Sequence, residues 1–411
     1  MTTAEQRDKD REYSAKITSE GVEKMRARIG IRVPHTDPRT EWASVDTIRN
    51  YARSYGDDNP LFTDPHYAKK TRWGSVIAPP VYVRNMGMSE IKEISAEDRA
   101  KGEGALRGIH AFWAGDTVEW YRPIYPSDRL TIEDYLYDVE EKVSQFAVKS
   151  VITRYREVYL NQRGELVCLW HRSYVRTERA TAAEKKAHFA IERPKYTPEM
   201  MKEIDEAYER EEVRGAQPRY WEDVKEGDLL MPAVHGPLTL TDIVTFLGGN
   251  GTSLLATGKI AYKFRKKHPG NYSRNAFGAP ESIVRCHYDE PYAQRIGNPF
   301  AYDLGVMRQC WVTHAVTNWM GDDAWLWKLD SRIKGFNYIG DTTYVKGKVT
   351  KRYTDRGVKC VDLEVWAENQ RGQTTAQGPA TVLLPSRESG PPQLPPPPPG
   401  YEGRLPKAVD W

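Results

Sequence analysis

The chain has 411 residues, 39% of them hydrophobic and 28% charged, so it can form a sizeable core and is too apolar to be a disordered protein. Its 60 basic and 57 acidic residues leave a net charge of +3, which gives no general electrostatic reason to bind nucleic acid or a membrane. No apolar run of about 18 residues is present, residues 1–30 lack the apolar core of a secretory signal, and the four cysteines are widely separated. These features predict a soluble, cytoplasmic protein of two domains without a disulfide framework.

The predicted elements occur twice along the chain in the same order. Each copy begins with a short helix, continues with a second short helix and a longer one, and ends in alternating strands. The predictions are helices at 44–55, from Asp64 and at 79–95 with a strand at 116–125, and then helices at 239–247, from Asp289 and at 304–320 with a strand at 341–353. Helices followed by antiparallel strands indicate an α+β fold rather than a doubly wound sheet.

Repeated sequence supports an internal duplication. The tetrapeptide Asn-Gln-Arg-Gly at 161–164 recurs at 369–372, and each copy follows a strand-like run and reads as a hairpin turn. Asp128 and Asp341 stand at matching places before strands in the two copies. The offset between matched residues grows from 196 to 225, so the second copy has about 29 additional residues before its second helix.

The composition divides the chain into five segments. These are a charged helical arm at 1–38, the first copy at 39–178, a charged linker helix at 179–215, the second copy at 216–385 and a Pro-rich tail at 386–411. The prolines of the tail favour polyproline II. We expect the tail to lie on the protein's own surface or on a subunit neighbour, and a ligand for an SH3-type domain is the alternative.

Residues 55–62 read Tyr-Gly-Asp-Asp-Asn-Pro-Leu-Phe. This segment resembles the G-D-x-N-P-[LIV]-H signature of MaoC-like (R)-specific enoyl-CoA hydratases and dehydratases, and residues 77–80 resemble the N-terminal domain of the fungal-type and mycobacterial dehydratases. The second copy resembles acyl dehydratase C-terminal domains at 236–239, 287–289, 302–305 and 318–323. The resemblance covers residues 40–385 and implies a double hot dog, in which each copy is an antiparallel sheet around a long central helix.

The resemblance also implies a reaction. It implies a hydratase or dehydratase that adds or removes water across C2–C3 of an acyl-CoA thioester, with no cofactor apart from the coenzyme A of the substrate. In the family, an Asp and a His five residues later activate the water. A Gly 18 residues after the His, at the N-terminus of the central helix, polarises the thioester carbonyl through its N–H. We expect a homodimer or a higher homo-oligomer, and no metal site.

The first copy departs from this pattern at two positions. Asp57 is present, but Phe62 stands where the family has His, and Pro80, which has no N–H, stands where it has Gly. We therefore interpret the first copy as the half that docks the acyl thioester. Asp57, Asn59 and Phe62 are its predicted substrate-binding or loop-shaping residues.

The second copy departs from the family's pattern at the position of the Asp. His287 and Gly305 stand at the family's spacing, but Ser282 replaces the Asp. We predict His287 as the acid/base and Gly305 as the oxyanion donor. The carboxylate partner would be Asp303, which lies beside the helix N-terminus, or Asp289. A helix cap is the alternative role for Asp303.

Three further residues lie near these positions. Tyr302 and Trp319 are predicted to bind the acyl group. Cys286 adjoins His287, but neighbouring residues of an extended chain point to opposite faces, so we interpret Cys286 as a buried residue. Because the family's Asp is missing, two alternatives stay open: a hot dog that binds thioesters without turnover, and another thioester reaction, either hydrolysis or a retro-aldol cleavage.

Overall fold

Ten strands from both halves of the chain form one antiparallel sheet in the computed structural model, which describes residues 15–143, 149–178, 191–250 and 256–401. The strands of that sheet are β1 (Arg32–Val33), β2 (His110–Trp120), β3 (Leu130–Val143), β4 (Lys149–Asn161), β5 (Leu166–Thr177), β6 (Ala233–His235), β9 (Trp325–Ile333), β10 (Thr343–Asp355), β11 (Val358–Asn369) and β12 (Thr374–Leu383). A separate hairpin consists of β7 (Tyr272–Arg274) and β8 (Pro280–Ser282).

Helices cover the sheet and connect its two halves. The α-helices are α1 (Ser19–Arg26), α2 (Val45–Ser54), α3 (Pro60–Thr63), α4 (Pro65–Ala68), α5 (Ala96–Lys101), α6 (Pro198–Arg210), α7 (Leu240–Asn250), α8 (Gly258–Lys267), α9 (Glu290–Arg295) and α10 (Gly305–Met320). Short 3-10 helices lie at Pro80–Asn85, Trp221–Asp223, Pro269–Asn271 and Ile283–His287. In the described part of the chain, no helix combines the length and the apolarity needed to cross a bilayer.

The strand order is β1-β3-β4-β5-β2 in the first half and β9-β12-β11-β10-β6 in the second. The second order is the first one reversed, because β6, β9, β10, β11 and β12 correspond to β1, β2, β3, β4 and β5. The halves join where β2 pairs with β9, from Gly115 opposite Arg332 to Glu119 opposite Lys328. The prediction of an α+β double hot dog is confirmed.

The repeated tetrapeptides form the same turn in both halves. The amide of Gln162 donates to Asp128 at 2.9 Å, and the amide of Gln370 donates to Asp341 at 2.8 Å. Each tetrapeptide ends in a glycine with positive φ, +76° and +72°, a conformation that strains other residues. The duplication read from sequence therefore extends to individual hydrogen bonds.

Within the described residues, a long central helix occurs in the second half and not in the first. α10 has 16 residues and is almost wholly buried, whereas the helix predicted at 79–95 is wrong: the chain forms only the 3-10 helix Pro80–Asn85 there. Gly87 ends it with a φ of +104°, and a Cβ at this position would lie 2.9 Å from Cβ of Ile132. Met88 then bridges to β3. Close packing against the sheet thus replaces the helix.

The segments outside the two copies also contact the sheet. The predicted arm contains α1 but also β1, which pairs with β3, so the first half begins before residue 39. Residues 1–14 of the arm, 179–190 of the linker and 402–411 of the tail lie outside the described residues. The linker contains α6, and the additional residues of the second copy contain α8 and the β7–β8 hairpin.

The tail begins on the second half, where Ser386 donates to Glu222 and Arg387 to Asp223, and from Pro392 it contacts the first half. The carbonyl of Pro392 accepts a hydrogen bond from Arg72 at 3.0 Å, and that of Pro395 accepts one from Arg122 at 3.3 Å. Leu394 packs against the main core. The described part of the tail is thus a strap on the protein's own surface, the first of the two roles that its composition suggests.

Candidate active site

The hot dog loop of the second half presents His287 at the end of a 3-10 helix. Ser282, at the family's Asp position, caps this helix through a hydrogen bond from the N–H of Val284 at 3.3 Å. Nδ1 of His287 lies 2.9 Å from the carbonyl oxygen of Tyr302. A carbonyl only accepts, so Nδ1 carries the proton and Nε2 keeps the lone pair that a base needs.

Gly305 begins α10 three residues after Tyr302, so His287 is held against the chain that enters this helix. Leu304, the N-cap, makes no side-chain cap bond, and the first N–H groups of a helix have no partners within it. The positive end of the helix dipole adds to their attraction for an anion. A Cβ on Gly305 would lie 3.2 Å from Cγ of Trp113 of the first half, so a larger residue here would require the indole to shift.

Cys286 is buried, as predicted from sequence, but it also interacts electrostatically with His287. Both residues belong to the 3-10 helix rather than to an extended strand, so their side chains do not point to opposite faces. Burial lowers the pKa of His287, but Cys286, the Tyr302 carbonyl and Asp303 raise it by more, and the net shift is upward. Burial raises the pKa of Cys286, but His287 and Tyr302 lower it by more, and the net shift is downward.

The carboxylate of Asp303 belongs to a buried ion pair. Its Oδ2 accepts hydrogen bonds from Nε of Arg308 at 2.8 Å and from the side-chain amide of Asn337 at 3.3 Å, and its Oδ1 accepts from Nη2 of Arg308. A carboxylate buried this completely needs a counter-charge, which Arg308 supplies. The assignment of Asp303 as the direct partner of His287 is therefore corrected: Asp303 affects His287 only by raising its pKa.

Asp289 also has a structural role. Its side chain caps α9 by accepting from the N–H of Tyr292 at 3.1 Å, and it lies 3.6 Å from Nε of Arg285. Trp319 stands 14 residues after Gly305, which is about 21 Å along α10, and its ring lies under the guanidinium of Arg219. Trp319 is thus remote from His287. Tyr302 is adjacent, with its ring edge-on to the imidazole at 4.9 Å.

In the first half, the predicted residues shape the loop and line a cavity. Asp57 accepts from the N–H of Asn59 at 3.0 Å and from the hydroxyl of Tyr55 at 2.9 Å, and Asn59 caps α3. Phe62 lines an apolar cavity together with Trp73, Ile77, Pro80, Trp120, Thr317 and Met320. Thr317 lies 12 residues after Gly305, about 18 Å along α10, so this cavity is at the far end of the helix from His287.

A polar cluster that sequence reasoning missed joins the halves. Nε2 of His314, on α10, lies 3.3 Å from Oε1 of Glu211 and 3.7 Å from Oδ1 of Asp57. A cavity of about 280 Å³ adjoins His314 and Glu211, and His235 also lines it. Burial raises the pKa of Asp57 and of Glu211, and the nearby His314 offsets part of each shift.

A signal for this cluster was present in the sequence. A central helix inside a hot dog core should be apolar, yet α10 buries a set of polar side chains. They are Arg308, Gln309, Thr313, His314, Thr317 and Asn318. Each such side chain needs a partner, and the partners of His314 come from the first half and from the linker.

Comparisons with known proteins agree with this architecture. Residues 28–170 match the family of FAS1-like dehydratase domain regions. A UPF0336 protein of Streptomyces avermitilis is 31% identical over 140 residues, which are 34% of this chain and 85% of that protein. A probable enoyl-CoA hydratase alpha subunit of Thermomonospora curvata is 25% identical over 162 residues, which are 37% of this chain and 50% of that protein. A solved MaoC-like dehydratase superposes with a TM-score of 0.58 at 18% identity, covering 88% of this chain and 99% of its own.

The comparisons concern different parts of the chain. The solved structure shares the fold across nearly the whole chain, and the family match lies in the first half, where the hot dog loop carries Asp57 and Asn59. The match to the Streptomyces protein spans most of that relative. Together with the duplicated sheet and the hot dog loops, these similarities show that the chain belongs to the MaoC-like family of hot dog dehydratases and hydratases.

Proposed function

We propose that the protein hydrates or dehydrates an acyl-CoA thioester across C2–C3, with His287 as the acid/base and the Gly305 N–H as the oxyanion donor. One observation carries the proposal. His287 is bonded through Nδ1 to the chain that leads directly into the side-chain-uncapped N-terminus of α10. This bond supports a site in which a base with its lone pair on Nε2 acts together with an anion-binding helix end. The name of the Thermomonospora curvata relative supports the choice of an acyl-CoA substrate.

The reaction can run on one base. In hydration, Nε2 of His287 takes a proton from water while the water oxygen bonds to C3. The C2–C3 π electrons move toward the thioester, and its oxygen becomes an enolate that accepts the Gly305 N–H. The imidazolium then returns the proton to C2, which restores the neutral base. Dehydration follows the same steps in reverse.

The first half would contribute to binding rather than to proton transfer. Its apolar cavity lies about 18 Å from Gly305 along α10, so only a long acyl chain could extend from His287 to Phe62. The substrate-binding roles of Asp57, Asn59 and Phe62 are therefore proposed for the distal part of a long chain. We expect Phe62→Ala to weaken use of a long-chain enoyl-CoA and to leave turnover of crotonyl-CoA unchanged.

The test is product analysis with the wild-type protein and a His287→Gln variant. Crotonyl-CoA is incubated with each, and 3-hydroxybutyryl-CoA, free CoA and acetyl-CoA are quantified. We expect the hydroxyacyl product from the wild type and a rate lower by about 10²–10⁴ in the variant, with CoA binding retained. The matched control is His66→Gln, which removes an exposed histidine from the first half.

Other products would contradict the proposal. Binding of CoA with no turnover would favour a binding protein, and release of free CoA with crotonate would indicate hydrolysis. Formation of acetyl-CoA from added 3-hydroxybutyryl-CoA would indicate retro-aldol cleavage. A His287→Gln variant as active as the wild type would remove His287 from the reaction.

A further inference from the structure

A buried carboxylate on β2 accepts three N–H groups from both halves. Asp116 is 3% exposed. Its Oδ2 accepts from the indole of Trp113 at 2.8 Å and from the amide of Gln309 at 2.8 Å, and its Oδ1 accepts from the indole of Trp170 at 2.7 Å. None of the three donors carries a charge. The carboxylate therefore works as a hydrogen-bond hub rather than as half of an ion pair.

Two of these donors lie beside the proposed oxyanion donor. The side chain of Trp113 contacts the Cα side of Gly305, because a Cβ there would lie 3.2 Å from its Cγ. Gln309 stands four residues after Gly305, one helical turn further along the same helix. Asp116 thus ties the indole that covers Gly305 to the second turn of the helix that Gly305 begins. Trp170 shares the carboxylate but is not among the nearest neighbours of Gly305.

We propose that Asp116 is a positioning residue that holds Trp113 against Gly305, so that the first half supplies one wall of the active site in the second half. The inference rests on the proposed function. A hydrogen bond to an enolate is stronger where water is excluded, and an indole ring over the helix end excludes it. Asp116 touches neither substrate nor reacting atoms and acts through Trp113.

The surroundings of Asp116 shift its pKa, so its hydrogen bonds to the three N–H groups should depend on pH. Burial raises the pKa of Asp116 to about 6, with Glu157 adding to the rise, while the Trp170 and Trp113 indoles and Arg84 oppose it. The charged groups on the packed elements are Arg84 of the Pro80–Asn85 helix, Glu157 of β4, and Arg172, which stands opposite Asp116 on β5 and is paired with Asp134 and Glu157. A protonated carboxyl has fewer acceptor positions, so it holds the three N–H groups less well.

The kinetic test compares two tryptophans that share one carboxylate. Trp113→Phe and Asp116→Asn are expected to lower kcat for crotonyl-CoA hydration about 10- to 100-fold, because misplacing one wall of a site costs this much. Trp170→Phe removes an N–H from the same carboxylate and leaves Trp113, the side chain nearest to Gly305, in place, so we expect kcat near that of the wild type. Equal losses in Trp113→Phe and Trp170→Phe would show that Asp116 is only structural and would overturn the proposal.

A second test does not depend on turnover. In the ¹⁵N spectrum, the indole N–H signals of Trp113 and Trp170 should shift together with a midpoint near the pKa of Asp116, about 6, and Asp116→Asn should abolish this shift. A Trp113 signal that does not follow this titration would overturn the proposal. A wild-type protein with no hydratase activity but with the coupled titration would count against the proposed function and leave Asp116 as the anchor of Trp113.

Discussion

In the first half of the molecule, the hot dog loop keeps Asp57 but places Phe62 and Pro80 where the family has its histidine and its N–H donor. In the second half, the loop keeps His287 and Gly305 but places Ser282 where the family has its aspartate. The halves share strand order and even the hydrogen bonds of matched turns. The two halves therefore share the sheet, while their loops depart from the family's pattern at different positions.

The central helical segments of the two halves also differ, and their difference parallels that of the loops. The second half retains the 16-residue helix α10, whose first N–H groups can bind an anion. At the place of α10, the described part of the first half has a six-residue 3-10 helix that begins at Pro80, beside an apolar cavity that residues of both halves line. The half with the anion-binding helix end also has the histidine. This coincidence supports the division into a reacting half and a docking half.

Two arginines that pair with buried carboxylates, one in the central helical segment of each half, are expected to give the largest losses of stability. Arg308 pairs with Asp303, and Arg84 pairs with Glu157. Arg308→Met should lower the free energy of unfolding by about 3–5 kcal/mol, because it leaves a buried carboxylate without its counter-charge. Arg84→Met should cost less, since Glu157 keeps a second partner, Arg172, at 2.9 Å. Urea unfolding measures both.

The control for this pair is an exposed arginine. Arg387 pairs with Asp223, and both side chains are more than half exposed, so Arg387→Met should change stability by less than about 1 kcal/mol. A smaller loss in Arg308→Met than in Arg84→Met would contradict the assignment of Asp303 to Arg308. Asp303 would then again be available as a partner of His287.

The next effect concerns the cluster that joins the halves. His314→Gln should lower the free energy of unfolding by roughly 1–3 kcal/mol, because Asp57 and Glu211 lose the imidazole between them. It should leave kcat for crotonyl-CoA near that of the wild type, since His314 lies nine residues, about 13 Å, from Gly305 along α10. Urea unfolding and the hydration assay check the two parts. If His314→Gln lowered the hydration rate as much as His287→Gln does, the acid/base would have to be assigned to the cluster around His314.

The matched turns should respond alike. Gly164→Ala and Gly372→Ala each place a Cβ on a residue with positive φ, and each should cost about 1–2 kcal/mol. Gly248→Ala, inside α7 with open space around it but no positive φ, should instead be neutral or slightly stabilising. Thermal unfolding compares the three. Clearly unequal losses at the two turns would mean that the duplicated turns have diverged in energy despite their shared hydrogen bonds.

The pH dependence of hydration should report His287. The imidazole must be neutral to take a proton from water, and its pKa is raised above the ordinary value of about 6.5. kcat/KM should therefore rise with pH through a midpoint above 6.5, and this rise should be absent in His287→Gln. A midpoint clearly below 6.5 would show that another group limits the wild-type profile.

Local signals in the sequence identified most of the fold. The helix predicted at 44–55 forms as α2, Val45–Ser54, because Ser44 and Thr47 make a capping box. The helix predicted at 304–320 forms as α10. The helix predicted at 79–95 failed because the chain at Gly87 packs on the sheet, a contact that periodicity does not reveal.

The candidate site was only partly readable from sequence. His287 and Gly305 were found because their spacing along the chain is itself the signal. The partner of Asp303 and the contact of His314 with Asp57, 257 residues away, depend on how the halves pack, and no local pattern encodes that. The cytoplasmic location and the homo-oligomer stay predictions.

In the proposed reaction, proton transfer belongs to the second half. One pair of variants, with one substitution in each half, tests this assignment. kcat for crotonyl-CoA hydration is compared between His287→Gln and Asp57→Asn, which keeps the shape of the first half's loop aspartate. We expect a fall of about 10²–10⁴ in His287→Gln and a kcat near that of the wild type in Asp57→Asn. Equal losses in the two variants, or the larger loss in Asp57→Asn, would contradict the account.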